Sequence, residues 1–176
     1  MNFKRIALSL LCVFLLLTMI LCTVACDQKP SEPSDDEDVS ADTNSIFTVR
    51  YNGAVIELGK DASAILKKLG EPSSKQFVAS CGEGAGDQWQ YMYPSIVLFT
   101  VKNGEQEIVD AVVLRDDIAK THKNITVGAT EAEMIAAYGD PIKQGQKCRY
   151  TEGKNTLEFV LDDTGCVKTV EIRTES

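Results

Sequence analysis

Hydrophobic positions fall into three regimes of spacing along this chain. Ile6 to Leu21 is apolar save for a few small residues, residues 27 to 45 contain almost nothing apolar, and from Phe47 onward apolar and polar positions alternate in short runs. Alternation with period two predicts strands at FTVRY and AVIEL about Asn52-Gly53, then at KQFVASC, QWQYMY, IVLFTVK and EIVDAVVLR, with Asn103-Gly104 as a hairpin turn. It predicts three more at KCRYTE, NTLEFVLD and CVKTVEIR, joined by Glu152-Gly153 and by the turn from Asp162 to Gly165. Two segments break the alternation. LGKDASAILKKLGEP at 58 to 72 and VGATEAEMIAAYGDP at 127 to 141 lie 69 residues apart and share a glycine, glycine and proline in one register. Ile65, Leu66 and Leu69 match Met134, Ile135 and Tyr138, the i, i+1, i+4 stripe of a short amphipathic helix.

The ends of both helices are legible. Asp61 is an N-cap, and Thr130 with Glu133 three residues on forms a capping box. Gly70 and Gly139 stand where a C-cap needs positive φ, and Pro72 and Pro141 stop the helix from resuming. A helix of about two turns is unstable alone and must lay its stripe on something, and each copy is followed at once by an antiparallel meander. The predicted fold class is α+β: two tandem modules, residues 46–122 and 123–176, each a short helix followed by a β-meander, with the helices packed on one face of the sheet.

The N-terminal regime is targeting. Lys4 and Arg5 form a positive n-region, the apolar run follows, and Thr23-Val24-Ala25 precede Cys26, which makes residues 1–25 a signal peptide. The last four residues resemble the lipobox of bacterial lipoproteins. That resemblance implies that Cys26 receives a diacylglyceryl group and becomes the new N-terminus, held at the membrane by two or three acyl chains. The alternative is an uncleaved anchor, because Ile6 to Ala25 is 20 residues long. Either way the positive residues stay inside and the rest of the chain faces out of the cytoplasm.

Residues 26–45 read as the lipidated cysteine and an acidic disordered linker. Residues 27 to 45 hold seven acids, one lysine and two prolines, a composition that cannot bury enough surface to order itself. Its charge of −6 extends the tether away from an anionic membrane. Residues 46 to 176 carry 15 basic and 19 acidic side chains without a basic stripe, which excludes nucleic acid as the expected partner.

Ile125 to Thr130, followed by Glu133, Met134, Ile135 and Tyr138-Gly139, resembles the helix motif of β-lactamase-inhibitor-protein modules. It is also similar to the small lipoprotein of the outer-membrane assembly machinery, and Leu157 to Val167 is similar to the closing hairpin of those folds. The resemblance implies two helices behind a continuous concave antiparallel sheet. It carries no activity with it, since sites are grafted onto folds.

Catalytic chemistry is poorly supplied. The single histidine, His122, sits between Lys120 and Lys123 in a solvated loop, and the chain contains no HExxH, no GxSxG and no clustered cysteine and histidine set. The loop from Cys81 to Asp87 is glycine-rich, but it lies between strands and offers acids where a phosphate cradle needs lysine. Asp116-Asp117 and Asp162-Asp163 are turn residues. The expectation is a protein that is not an enzyme, with no cofactor and no metal. Outside the cytoplasm Cys148 and Cys166 are a candidate disulfide, which the inhibitor-module resemblance also suggests. If they begin the first and third strands of a meander, however, one strand separates them, and a bridge from Cys81 or no bridge remain open.

Trp89, Tyr91 and Tyr93 share one face of a strand. They are core if the helices cover that face, and a partner-binding platform if it is open; Val97, Phe99 and Val101 could fill the core in their place. The resulting expectation is a lipid-anchored protein on the outer face of the cell membrane that binds another protein through its sheet. Alternatives are an envelope sensor of a small ligand or cell-wall fragment, and a structural component of envelope assembly.

Overall fold

Each of the two capped segments forms one eight-residue helix, α1 (Ala62–Leu69) and α2 (Glu131–Tyr138). These belong to a computed structural model that describes residues 45–79 and 88–175. The Asp61 side chain accepts from Ser63 N at the start of α1. At α2 the box is complete: Glu133 N donates to Thr130 Oγ1 at 3.2 Å, and Thr130 N donates to Glu133 Oε2 at 2.8 Å. Gly70 and Gly139 end the helices at φ 75° and 83°, where any side chain would be strained. Ile65 and Met134 are buried, and Leu66, Leu69, Ile135 and Tyr138 pack partly buried beside them.

The strands are β1 (Thr48–Tyr51), β2 (Ala54–Glu57), β3 (Ser74–Val78), β4 (Gln88–Met92), β5 (Ile96–Asn103), β6 (Gln106–Leu114), β7 (Lys120–Thr121), β8 (Ile142–Gln144), β9 (Lys147–Glu152), β10 (Asn155–Leu161) and β11 (Val167–Thr174). Eight of them build one antiparallel sheet in the order β3-β4-β5-β6-β11-β10-β9-β8. The fold is therefore α+β, with each helix followed by four antiparallel strands and the last strands of the two sets, β6 and β11, paired at the centre. The first hairpin forms about Asn52-Gly53 as expected, but outside the large sheet. β1 and β2 stay out of the large sheet and join the two-residue β7 in a separate three-stranded sheet, ordered β2-β1-β7. Arg50 ties that sheet together, donating from Nη2 to the His122 carbonyl at 3.0 Å and to Asn124 Oδ1 at 2.6 Å.

Hydrogen bonds recur in pairs between the two sets. Gly59 N donates to the Val109 carbonyl at 2.8 Å, and Gly128 N to that of Val167 at 2.7 Å. Val109 N donates back to the Lys60 carbonyl at 2.9 Å, and Val167 N to that of Ala129 at 2.7 Å. Isolated bridges join Asp61 to Ile108 and Thr130 to Cys166. Beyond the helices, the Tyr93 hydroxyl donates to the Gly70 carbonyl at 3.1 Å, and the Tyr150 hydroxyl to that of Gly139 at 2.7 Å. Each helix end is thus fastened to its meander through carbonyls that the helix cannot satisfy itself.

One face of the eight-stranded sheet carries the core. Its register runs Tyr91, Leu98, Val112, Ile172, Leu157, Tyr150 across six strands. Leu98, Val112, Ile172 and Leu157 are fully buried and cluster with Val49, Tyr51 and Ile56 of the small sheet and with Ile65 and Met134 of the helices. Both helices and the small sheet therefore stack on this side. Burying a side chain of this size stabilises by about 1.5 to 3 kcal/mol, so this layer holds the molecule together.

Candidate functional site

The opposite face of the same sheet carries no other element among the described residues. Strand geometry puts every second residue there, and the pairings join them into one row across all eight strands: Ser74, Met92, Val97, Val113, Glu171, Glu158, Arg149, Ile142. A second row runs Gln76, Gln90, Phe99, Ala111, Arg173, Thr156, Thr151. The face changes character where β6 meets β11. On the β4–β6 side it carries Met92, Phe99, Val101 and Val113, which are partly exposed, with Val97 and Ala111 buried between them; none of the six belongs to the main core cluster. On the β9–β11 side it is charged.

The charged side is organised around Glu158, which is 4% exposed. Arg149 donates to its Oε2 from Nη2 at 2.7 Å and from Nε at 3.1 Å, and Lys147 Nζ donates to Oε1 at 3.1 Å. Burial pushes the Glu158 carboxyl up, but the hydrogen bonds from Arg149 and Lys147 outweigh it and hold the group below the usual carboxylate range. Arg173 lies beside Glu171 at 3.6 Å and Glu175 at 2.9 Å. On the apolar side a β-bulge leaves Asp110 unpaired between Val109 and Ala111. Gln88 Nε2 donates to Asp110 Oδ2 at 2.7 Å, yet burial dominates and raises the Asp110 carboxyl. The face thus joins an apolar side to a charged side along β6 and β11, with its acids either paired or partly buried.

Trp89, Tyr91 and Tyr93 lie on the other side. Because Tyr91 pairs with Leu98, the aromatic row shares the covered face, and Tyr91 and Tyr93 are 5% and 3% exposed. They are core, the first of the two readings open to them, and form no open platform; Trp89 alone stays half-buried, at the rim. Val97, Phe99 and Val101 do not fill the core in their place but line the open face. IVLFTVK is apolar at both parities, a signal for a strand with apolar neighbours on both sides, and it points to this patch.

The cysteine pair is likewise separated. Cys148 pairs with Phe159 on β10, which lies between β9 and β11, while Cys166 precedes β11 and bridges to Thr130. Both thiols are free, and burial raises that of Cys148. Cys81, Cys26, the signal segment and all of the linker but Ser45 lie outside the described residues. His122 is half-buried rather than solvated, its Nδ1 3.4 Å from Thr48 Oγ1. Among the described residues there is no group of three metal-ligating side chains and no helix long and apolar enough to cross a membrane. A surface cleft of about 740 Å³ runs beside α2, lined by Lys123, Ile125, Val127, Glu133 and Ala136 among others.

No protein-family model matches the sequence, and no curated protein matches it. Solved structures with a similar arrangement include an extracellular SCP-domain protein from Bacillus anthracis, 14% identical with a TM-score of 0.41, covering 66% of this chain and 44% of that one. A DUF4309 family protein from Bacillus subtilis is 12% identical with a TM-score of 0.41, covering 68% and 82%. A cysteine-rich secretory protein from Staphylococcus aureus is 14% identical with a TM-score of 0.42, covering 66% and 44%. The chain thus spans less than half of two of these neighbours. None of the three is named as an inhibitor module or an assembly lipoprotein, and no residue role is taken from them.

Proposed function

We propose that this protein is a lipid-anchored, extracytoplasmic binding protein without catalytic activity, whose open sheet face docks another protein. The observation that carries the docking is the continuous row from Met92 through Val97 and Val113 to Glu171, Glu158 and Arg149, on a face that no other described element covers. Broad, apolar on one side and charged on the other, with Arg173 beside Ala111 at the boundary, it suits a protein surface better than a small molecule. The two sets of helix and meander are tandem modules on this reading, supported by their 69-residue sequence echo and their paired hydrogen bonds. The anchor rests on Thr23 to Cys26 and the acidic tether, which would hold the sheet clear of the membrane.

A small-ligand sensor is the second reading, and the cleft beside α2 favours it. It is a shallow depression, open to solvent over most of its extent, of about 740 Å³. Ala136-Ala137 border it where the first helix carries Lys67-Lys68.

Two variants test the main reading. Cys26→Ser should lose acyl labelling and leave the membrane fraction; retained labelling would refute the anchor. Phe99→Arg should return the protein from a larger native complex to monomer size with its circular dichroism unchanged. A complex that survives Phe99→Arg intact would refute docking on this face.

A further inference from the structure

The β3–β4 hairpin is where the two sets of strands differ most. β8 turns into β9 at Gly145-Gln146, whereas β3 and β4 continue past the matching level. Aligning the two tyrosines that bind the helix ends, Tyr93 and Tyr150, puts Cys148 in the place of Tyr91 and Gln146 in the place of Trp89. The aromatic residues of this hairpin are thus additions to the repeated scaffold, and Trp89 is the only tryptophan in the chain.

Their geometry seats a cation against two rings. Lys75 reaches across from β3 and sets Nζ 4.4 Å from the centroid of the Trp89 ring and 4.7 Å from that of Tyr91. Phe77 stands edge-on to Trp89, with ring centroids 5.1 Å apart at 65°. At the hydroxyl end of Tyr91 a carboxylate is fixed: the Tyr91 hydroxyl donates to Glu107 Oε1 at 2.6 Å, and the Thr100 hydroxyl donates to the same oxygen. Tyr91 is immobilised in the core, while Phe77 is 49% exposed and Lys75 is exposed, so the slot has a rigid wall and an open mouth.

We propose that Trp89 and Tyr91, with Glu107 at the Tyr91 hydroxyl, form a binding slot for the quaternary ammonium group of a small choline-like ligand, which Lys75 fills when no ligand is present. The lysine ammonium is strongly hydrated and sits on a flexible stem at the surface. Its contact with the rings is the exposed, weak kind, and a cation that gives up its hydration more easily gains more over the same rings. A quaternary ammonium sheds water more readily, so it takes the slot and Lys75 withdraws into solvent. The slot lies on the opposite face of the sheet from the docking surface and stands independently of it.

Trp89 makes the test direct, because all tryptophan fluorescence comes from the slot. The full chain, held in maltoside micelles free of choline headgroups, is titrated with choline chloride. Sodium chloride at equal ionic strength and the neutral isostere 3,3-dimethylbutan-1-ol serve as comparisons. A saturable fluorescence change with choline alone is expected, tightening about five-fold in Lys75→Gln, where the internal competitor worth about 1 kcal/mol is gone. Glu107→Gln should weaken it several-fold, and Phe99→Arg should leave it unchanged. Glycerophosphocholine matching choline would identify a lipid headgroup as the source, and choline binding about ten-fold tighter a free small ammonium. The proposal is overturned if neither wild type nor Lys75→Gln shows saturable binding, or if the neutral isostere binds as well as choline.

Discussion

The two ends of the eight-stranded sheet are built alike and finished differently. Each is a helix fastened to its own meander by the same backbone contacts, Gly59 with Val109 and Gly128 with Val167, and by a tyrosine on the helix C-cap. On the open face one end presents Met92, Val97, Phe99 and Val113, and the other the Arg149–Glu158–Lys147 cluster. The comparison teaches where to look for activity. What recurs satisfies backbone groups and fills the core, whereas what differs points outward or extends the β3–β4 hairpin.

The sharpest way to break the assignment of faces is a pair of neighbours on β5. Leu98 is fully buried on the covered side and Phe99 is partly exposed on the open one. Leu98→Ala should cost about 2 to 5 kcal/mol in chemical denaturation, and Phe99→Ala about 1 kcal/mol or less. Equal losses would mean that the open face is part of the core.

Two acids of the open face, Glu158 and Asp110, should respond to pH with opposite signs. Glu158 is depressed in the folded state, so its contribution is present above the unfolded carboxylate value and is lost as pH falls through its folded value. Glu158→Gln should therefore destabilise at neutral pH, and the difference from wild type should vanish in acid. Asp110 is raised, so it costs stability as pH rises from the unfolded carboxylate value through the folded one. Asp110→Asn should gain on wild type over that interval and keep the gain at pH 7. Thermal melts from acid to neutral pH compare the two directly.

Smaller effects test the likeness of the helix ends. Tyr93→Phe and Tyr150→Phe each remove one hydrogen bond to a C-cap carbonyl, and each should cost about 1 kcal/mol. Thr130→Ala removes the capping box at α2 and should cost about 1 kcal/mol, read as a small drop in melting temperature. A Tyr150 effect without a Tyr93 effect would show that the two fastenings are not equivalent.

Much of this architecture is legible in the sequence. Asp61, Thr130, Glu133, Gly70 and Gly139 mark the helices because capping is local chemistry, and Asn52-Gly53 and Asn103-Gly104 mark hairpins for the same reason. The small sheet is not legible, because its third strand is two residues long, carries no alternation of its own and pairs with β1 about 70 residues earlier, where Arg50 reaches over to His122 and Asn124. The face taken by Trp89, Tyr91 and Tyr93 is not legible either. β5 is apolar at both parities, and only the register that pairs Tyr91 with Leu98 decides which set meets the helices. The charged side is hidden for a related reason: Arg149, Glu158 and Arg173 come from three strands, and only the order β11-β10-β9 gathers them.

The central claim, that the open sheet face is the docking surface, is tested most directly by site-specific photocrosslinking in intact cells. A crosslinker in place of Phe99 is compared with one in place of Lys67, an exposed residue of α1 on the covered side. One discrete adduct from position 99, absent from position 67 and lost when Arg149→Glu is added, is the expected result. Adducts of the same size and strength from both positions, or none from position 99, would contradict it.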